Sequence, residues 1–397
     1  MTLLLHILFW LPVGLLFHSY VLFPLWLEYR YRRLPPPPPE GPAGEAPRVS
    51  VLIPAYNEEA VIEEKIRSVY ASDYPLSRLE VLVMSDASTD ATDHIIQRLA
   101  EEYSSLKFFR SPQRTGKPGL LNRLAREANG DLLVLTDANV LWTPHTLKAL
   151  TLPFADASVG LVDSCLIGKG EEEGIALQEK KYTLREVRIR HREGAIWGFI
   201  MGPSGACYAL RKELYTPVPD NFLVDDFFIT MKVLEQGYHA KVSLDAEVYE
   251  DVTVRFPEAF RRKVRIAAGN FQNLARFFHM FRNITTPLGF CFWSHKGIRW
   301  LGPWLLLLNL VSNLLLFPLF PFYLFTFAGH LFLFLMIAFD NILSLFGKQI
   351  VILRFITHFY SMNLALGVGS VKALKGIRTN VWEPTKRNPQ GGPEKRG

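Results

Sequence analysis

Cysteine is scarce in this chain of 397 residues, which contains only Cys165, Cys207 and Cys291. The three positions are scattered and have no metal-ligand spacing, so the pattern does not indicate a cysteine-bound metal. So few scattered thiols fit a reducing compartment, where cysteines stay free. We interpret each of them as a small core residue rather than a nucleophile.

The glycine-rich GxGxxG fingerprint of dinucleotide-binding proteins is also missing. Those glycines lie in the turn after the first strand and let the backbone approach a pyrophosphate. In this chain the turn after the first predicted strand reads PAYNEE. The absence disfavours an oxidoreductase that binds a dinucleotide.

The features of a cleaved leader are absent from the apolar N-terminal segment. Residues Met1 to Leu27 are nearly all apolar, and about 20 apolar residues span a bilayer core. A signal peptide would begin with basic residues, would be shorter and would have small residues before Glu28, and none of these features is found. We therefore predict a membrane anchor over residues 1–28.

The formal net charge of +6 does not indicate a nucleic acid partner, because the basic residues have another explanation. Arg30, Arg32 and Arg33 directly follow the first span, and positive residues that flank a span stay on the cytoplasmic side. We therefore predict a multi-pass protein of the cell membrane with its central domain in the cytosol. Membrane lipids, and no nucleic acid, are its expected surroundings.

Changes in composition divide the chain into six parts. A proline-rich stretch, typical of a stiff tether, is followed by the mixed composition of an α/β domain and then by basic and apolar segments. The predicted parts are the anchor 1–28, a linker 29–47, an α/β domain 48–258, basic amphipathic helices 259–299, a transmembrane region 300–371 and a basic cytoplasmic tail 372–397.

Within the central domain, short apolar runs alternate with helical patterns, an order that implies a parallel sheet with right-handed crossovers. The predicted strands are Val49–Ile53, Leu79–Met84 and Leu132–Thr136, and the helices between them are Glu58–Ala71, Thr92–Tyr103 and Pro118–Ala128. Further helices are predicted over Glu171–Arg192, Asp225–Gln236 and Ala259–Arg282.

The terminal region contains two apolar spans, Trp300–Pro321 and Phe322–Phe346. A third stretch, Gln349–Val371, is interrupted by polar side chains, and we expect it to be re-entrant or interfacial. Two full crossings after the central domain return the chain to the cytosolic side, where the basic tail is expected.

Polar groups lie where the predicted strands end, in PAYNEE, SDASTD and TDAN, and a single lysine follows in TGKPG. Open α/β sheets bind ligands in the crevice outside the carboxyl ends of their strands. Several acidic groups with one lysine suggest a nucleoside diphosphate that is held with a metal. These motifs therefore point to an enzyme.

Together with FLVDDFF, the motifs in this order and spacing resemble those of inverting family 2 glycosyltransferases with the GT-A fold. The resemblance covers about Arg48 to Arg282 and implies a Rossmann-like, mostly parallel α/β sheet. The flanking membrane segments resemble those of membrane-bound polysaccharide synthases.

The resemblance implies a donor site at the strand ends. Ala55, Tyr56 and Glu58 would contact the nucleobase and ribose, and Asp86 would hydrogen-bond the base. Lys117 would neutralise the diphosphate as a point charge. An alternative for the first loop is that its polar residues only cap the following helix.

The resemblance also implies a metal, Mg²⁺ or Mn²⁺, at TDAN, which occupies the place of the family's Asp-x-Asp motif. Asp137 and Asn139 would contact the metal or the sugar. Asn139 replaces the second aspartate; its amide oxygen can still ligate, but one negative charge is lost and metal affinity should be weaker.

Asp226 is the residue that the resemblance assigns as the base, which deprotonates the acceptor hydroxyl. Asp225 lies beside it as a further substrate contact or as a helix cap. Gly205, in GPSGACYAL, would line the acceptor pocket, or this segment is a tight packing turn.

Arg262 and Arg265 would bind the diphosphate from a helix near the membrane. Processive synthases carry Gln-x-x-Arg-Trp at this place, and only Arg265 of that motif is kept here. The missing tryptophan disfavours processive synthesis.

The leading hypothesis is therefore an inverting transferase that moves a sugar from a nucleoside diphosphate, preferably UDP, to a lipid-linked or glycan acceptor. The alternatives are a processive synthase of the cellulose or hyaluronan type and an inactive membrane scaffold that only binds nucleotide. Asn139 is the feature that favours the inactive scaffold.

Overall fold

A computed structural model describes residues 2–35, 45–169, 174–251, 256–348, 350–377 and 380. Residues 36–44 of the predicted linker and most of the predicted tail lie outside these residues. The described residues fall into two compact units. One, here the sheet unit, is built on a β-sheet, and the other, here the helical unit, consists of helices.

The sheet has eight strands in the order β3-β2-β1-β4-β7-β6-β8-β5. Strands β3, β2, β1 and β4 are parallel, whereas β7 pairs antiparallel with β4 and β6, and β8 runs parallel to β6 and antiparallel to β5. The strands are β1 (Val49–Ala55), β2 (Leu79–Ser85), β3 (Leu106–Arg110), β4 (Leu132–Thr136), β5 (Leu141–Trp142), β6 (Val159–Lys169), β7 (Cys207–Arg211) and β8 (His239–Asp251).

The helices divide between the two units: α3–α6 and α8 belong to the sheet unit and the others to the helical unit. They are α1 (Thr2–Phe17), α2 (Phe23–Tyr31), α3 (Ile62–Tyr70), α4 (Thr92–Glu102), α5 (Lys117–Glu127), α6 (Thr146–Thr151), α7 (Gly174–Trp197), α8 (Asp225–Glu235), α9 (Phe256–Phe281), α10 (Pro287–Phe292), α11 (Ile298–Trp300), α12 (Gly302–Leu316), α13 (Pro321–Leu345) and α14 (Val351–Leu374). Short π-helical turns join α1 to α2 and α10 to α11.

The three predicted strands are present as β1, β2 and β4, with β1 and β2 slightly longer than expected. All residues of β1 and β4 are buried, as in a parallel sheet that is covered on both faces. Val51 and Val83 pack with Ile62, Ile66 and Ile96 from the helices on one face. This core fixes the strand ends, and therefore the loops that follow them.

The predicted helix Glu58–Ala71 begins later than expected, at Ile62. Asn57 has a φ of 52°, in the left-handed region, and the chain between it and α3 is held in a turn by bonds to the next loop. The helical pattern at Glu58 was therefore overridden by tertiary contacts, and this part of the prediction was wrong.

In the helical unit, three described helical segments are long and apolar enough to cross a membrane, namely Thr2–Tyr31, Pro321–Leu345 and Val351–Leu374. The predicted span Trp300–Pro321 is not one straight helix. The pair Pro287–Trp300 and Gly302–Leu316 is bent by 64°, as in a broken span or a re-entrant loop.

The structure also differs from the prediction that Gln349–Val371 is interrupted, because α14 continues as one helix over 24 residues. Arg354, which suggested an interfacial segment, lies 3.4 Å from Asp340 of α13. The charge of Arg354 is therefore balanced by that of its neighbour. The bent segment consists of Pro287–Trp300 and Gly302–Leu316, from α10 to α12. It lies earlier in the chain than the stretch Gln349–Val371, which was predicted to be re-entrant or interfacial.

Candidate functional site

The loops after β1 and β2 are bonded to each other at the carboxyl ends of these strands. Asn57 and Ala87 have φ of 52° and 57°, a region that non-glycine residues rarely adopt. The Asn57 N–H donates to Ser88 Oγ at 3.1 Å, and the Thr89 N–H donates to Asn57 Oδ1 at 2.8 Å. Such strained backbone is held in place by its surroundings and is common at ligand sites.

The three residues predicted to contact the nucleoside lie in this first loop. Ala55 is the buried last residue of β1, and Tyr56 and Glu58 follow it, half-buried. The Glu58 N–H donates to Thr92 Oγ1 at 2.8 Å, and the N-cap of α3, Val61, makes no side-chain capping bond. The N-cap of α3 is therefore Val61, and neither Asn57 nor Glu58 occupies that position.

Asp86, directly after β2, is fully buried and holds the loop that leads into α5. Its Oδ1 accepts from the N–H and the hydroxyl of Thr115, at 2.7 and 3.0 Å. Its Oδ2 accepts from the Gly116 N–H at 3.0 Å and from Arg114 Nε at 3.1 Å. Asp86 thus holds the backbone that directly precedes Lys117. The predicted hydrogen bond between Asp86 and a nucleobase stays a prediction.

Arg114 is a site residue that the sequence analysis missed. Its guanidinium lies 3.3 Å from the centroid of the Tyr56 ring, in a cation–π contact. The same guanidinium donates to Asp86. Arg114 therefore links the first loop to the second, and its position two residues before Gly116 in RTGKPG was the available signal.

Lys117 joins the predicted diphosphate and metal motifs. Its Nζ donates to Asp137 Oδ1 at 2.7 Å and lies 3.7 Å from Asp225 Oδ2. Burial opposes its charge, but Asp137 and Asp225 outweigh that effect and raise the pKa of Lys117. One ammonium thus balances carboxylates from two separate motifs.

Asp226 is half-buried in the first turn of α8. Burial, together with the negative charge of Asp225, raises the pKa of Asp226 to about 7. Its Oδ1 accepts from the Phe227 N–H at 2.6 Å. A carboxylate with a raised pKa that remains reachable is suited to accept a proton near neutral pH.

Gly205 lies directly against this carboxylate. Its φ is +80°, and a Cβ at this position would collide with Asp226 Oδ2. The close approach therefore requires glycine on two grounds, backbone conformation and space. The segment predicted to line the acceptor pocket is in contact with the predicted base.

Tyr208, on β7, is a second residue that the sequence analysis missed. Its hydroxyl is buried and, within the described part of the chain, has no hydrogen-bond partner. Burial and the nearby Asp225 hold the pKa of this phenol well above its usual value. Asp225 Oδ2 is also buried without a hydrogen bond from a described residue. Both groups keep unused hydrogen-bonding capacity that a polar partner could satisfy.

Lys65, also missed, is fully buried on α3 and clamps the loop that contains Asp137. Its Nζ donates to Thr136 Oγ1 at 3.0 Å and to the Val140 carbonyl at 2.6 Å, and it lies 4.2 Å from the Trp142 ring centroid. Burial lowers the pKa of Lys65 to about 7. Its two bonds close the ends of the TDAN loop.

The predicted metal motif TDAN offers the side-chain oxygens of Asp137 and Asn139 to a cation. Asn139 Nδ2 donates to Glu250 Oε1 at 3.2 Å, which leaves its amide oxygen for other partners. Among the described residues no group of three or more His, Cys, Asp or Glu side chains could hold a metal. A divalent cation that is bound by one or two protein oxygens and completed by substrate phosphates and water fits this donor set.

Arg262 and Arg265 are exposed residues of α9, in the helical unit. Their predicted contact with a diphosphate stays a prediction. The other predicted residues, from Ala55 to Asp226, all belong to the sheet unit.

Comparison with known proteins shows what this chain is similar to in sequence and fold. The model described as "Glycosyl transferase family 2" matches residues 50–216, and that of "Glycosyl transferase family group 2" matches residues 183–341. A probable glycosyltransferase of Bacillus subtilis (strain 168), YdaM, is 30% identical over 259 residues, which are 60% of this chain and 60% of the relative. A beta-monoglucosyldiacylglycerol synthase of Nostoc sp. is 38% identical over 121 residues, 30% of this chain and 26% of the relative.

The chain thus spans 60% and about a quarter of these two relatives. Among solved structures, the mannosyltransferase PcManGT from Pyrobaculum calidifontis, in complex with GDP-Man and Mn²⁺, superposes with a TM-score of 0.70 and 26% identity. The match covers 92% of this chain and 99% of that one. The predicted GT-A α/β fold with apolar helices at both ends is confirmed.

Proposed function

We propose that this chain, which belongs to the family 2 glycosyltransferases, transfers a sugar from a nucleoside diphosphate to an acceptor at a membrane, with inversion at the anomeric carbon. The observation that carries the proposal is the cluster around Lys117. It brings the carboxylates of Asp137 and Asp225 together with a base candidate of raised pKa, Asp226.

The donor is held at the strand ends in this proposal. Tyr56 offers a ring face to the base, and Asp86 keeps the loop before α5 in place. Lys117 is released from Asp137 when the diphosphate arrives and neutralises its charge instead. UDP is the nucleotide that the motifs favour, while the similar mannosyltransferase carries GDP-Man, so both nucleotides belong in the test.

Asp137 and Asn139 are the residues that would hold a divalent cation. When bound, such a cation stabilises negative charge on the departing nucleoside diphosphate. The similar mannosyltransferase contains Mn²⁺, which supports this assignment. Lys65 keeps the loop that carries both residues closed at its two ends.

Asp226 takes the proton of the acceptor hydroxyl in this mechanism. As the O–H bond breaks, the oxygen forms a bond to the anomeric carbon, and the bond from that carbon to the diphosphate oxygen breaks. Attack comes from the face opposite the leaving group, so a single displacement inverts the configuration. Gly205 lets the backbone approach Asp226 closely, because a Cβ at this position would collide with Asp226 Oδ2.

The acceptor that we propose is a lipid or a lipid-linked glycan. The three candidate spans support a membrane location, and a relative named as a glucosyldiacylglycerol synthase supports a lipid acceptor. With the sheet unit on the cytosolic side, α13 and α14 form the two crossings that follow it. The bent pair α10–α12 is then the re-entrant segment, and the chain ends in the cytosol.

Release of nucleoside diphosphate by the detergent-purified protein tests this function. A panel of UDP- and GDP-sugars is supplied with Mg²⁺ or Mn²⁺ and with diacylglycerol or polyprenyl phosphate as the acceptor. We expect release from one donor, with loss in Asp137→Ala and no loss in Asp245→Ala, which removes an exposed aspartate of β8. Nucleotide binding without release from any donor and acceptor pair would favour the inactive scaffold.

A further inference from the structure

A groove with a volume of about 370 Å³ lies in the helical unit, where α2 meets α7. Four basic residues of α7 line it, spaced so that they share one face of the helix: Lys181, Arg185, Arg188 and Arg192. Leu184 and Ile189 of the same helix and Pro24 of α2 complete the lining. The groove is therefore basic along one side and apolar along another.

These four cations lie three or four residues apart, a spacing at which like charges on a helix repel. Arg192 is paired with Glu28 of α2, which also pairs with Arg32 at 2.6 Å. Arg185 donates to the Tyr20 carbonyl. Lys181 and Arg188 are exposed. Neither forms a hydrogen bond or a salt bridge with a described residue, and the charge of Arg188 acts on the nearby Glu28. An anion in the groove would relieve the repulsion.

Two carboxylates of α7, Glu186 and Glu193, are held by other cations. Glu186 accepts from Lys296 at 2.8 Å and from Arg299 at 2.6 Å. Glu193 Oε1 lies 2.5 Å from His295 Nδ1, and His295 Nε2 lies 3.0 Å from Glu186. Glu186 and Glu193 are therefore committed to buried ion pairs, while basic residues of α7 line the groove.

The groove also lies at the end of a candidate membrane span. Pro24 belongs to the segment Thr2–Tyr31, and it precedes Arg30 by six residues, about 9 Å along a helix. Trp26 of α2 stacks on Trp197 of α7 at 5.7 Å between ring centroids. Tryptophan and arginine at the end of a span mark the membrane–water interface, where lipid headgroups lie.

We propose that this groove binds the phosphate of an anionic membrane lipid. Lys181, Arg185 and Arg188 contact the phosphate oxygens, and Pro24, Leu184 and Ile189 contact the upper part of an acyl chain. Anionic lipids attract basic residues at the cytoplasmic surface, and the apolar side of the groove favours a lipid over a soluble phosphate. This site is separate from the proposed donor site and does not depend on the proposed reaction.

Native mass spectrometry of the delipidated full-length protein tests the proposal. The protein is titrated with phosphatidylglycerol or with phosphatidylcholine of the same acyl chains. We expect one molecule of phosphatidylglycerol to bind about 10-fold more tightly than phosphatidylcholine. Lys181→Gln/Arg188→Gln should abolish this preference. These two side chains are exposed and unbonded to described residues, so the variant should fold.

The control variant Lys372→Gln/Lys375→Gln removes the same charge from exposed residues at the end of α14, and it should keep the preference. Equal loss in both variants would mean general attraction of basic residues to anionic lipids and would overturn the site. Retention of the preference in Lys181→Gln/Arg188→Gln would overturn it as well. Displacement of the lipid by millimolar inorganic phosphate would identify a soluble phosphate as the ligand and contradict the lipid assignment.

Discussion

Lys117 Nζ lies 2.7 Å from Asp137 Oδ1, so the first residue of α5 is tied to the loop after β4. The two residues are 20 positions apart and belong to motifs that carry opposite charge. Without this lysine, Asp137, Asp225 and Asp226 would repel one another at one edge of the sheet. Lys117 therefore places a positive charge in an acidic site, and this charge favours binding of a diphosphate, which is itself an anion.

Replacement of Lys117 should weaken nucleotide binding. In Lys117→Met the ammonium is lost, and the site carries only carboxylates toward the diphosphate. We expect the Kd for the nucleoside diphosphate, measured by calorimetry without metal, to rise at least about 10-fold. Lys117→Arg keeps the charge and should lose less. Equal affinity of wild type and Lys117→Met would contradict the role of this lysine.

Substitution of Gly205 should impair catalysis through Asp226. An alanine Cβ would collide with Asp226 Oδ2 and displace the base. We expect kcat of Gly205→Ala to fall at least about 10-fold, with an unchanged Kd for the nucleotide. Gly237→Ala is a matched control, because Gly237 has a φ of +84° and open space around its Cβ position. A similar fall in both variants would point to backbone strain instead.

The sequence predicted the strands and the polar groups at their ends because both are local patterns. The apolar runs of β1, β2 and β4 are short and bounded, and a parallel sheet places their carboxyl ends at one edge. Lys117 was predicted from the motif TGKPG, and Asp226 was predicted through the resemblance of FLVDDFF to the family's motif. Their motifs are local, and the fold brings them together.

What the sequence could not predict depends on contacts between distant residues. Lys65 lies within the predicted helix Glu58–Ala71, and its side chain is buried against the loop after β4. The charge of Arg354 suggested that Gln349–Val371 is not a continuous span. Asp340 lies beside Arg354 and balances this charge. Neither partner could be identified without the packing of separate helices and strands.

Tyr56 should bind the base through its ring rather than its hydroxyl. Arg114 lies over one face of this ring, with its guanidinium carbon 3.3 Å from the ring centroid. Stacking of one base on an aromatic ring is worth about 1–3 kcal/mol. We expect Tyr56→Leu to raise the Kd for UDP or GDP about 10-fold and Tyr56→Phe to leave it nearly unchanged. Equal losses in the two variants would assign the effect to the hydroxyl.

Glu80 should stabilise the sheet unit in a pH-dependent manner. Burial opposes its charge, but bonds from Ser50, Asn129 and Lys107 outweigh that effect and lower the pKa of Glu80 to about 2. A lowered pKa in the folded state gives stability that is complete above the unfolded value of 4.5 and is lost as the pH falls toward 2.

Unfolding measurements on Glu80→Gln test this prediction. At pH 7 the variant should be less stable than wild type by about 2 kcal/mol, and the difference should shrink by pH 3. The control Glu101→Gln changes an exposed glutamate of α4 and should show no such trend. A stability difference that stays constant between pH 7 and pH 3 would refute the pKa-based account.

The assignment of Asp226 as the base is the central claim, and the transfer rate of Asp226→Asn tests it most directly. With the donor found in the release assay, we expect kcat to fall by about 10²–10⁴, while the Kd for the nucleotide stays within about twofold of wild type. Asp245→Asn should retain full activity. Transfer by Asp226→Asn at more than a tenth of the wild-type rate would contradict the account.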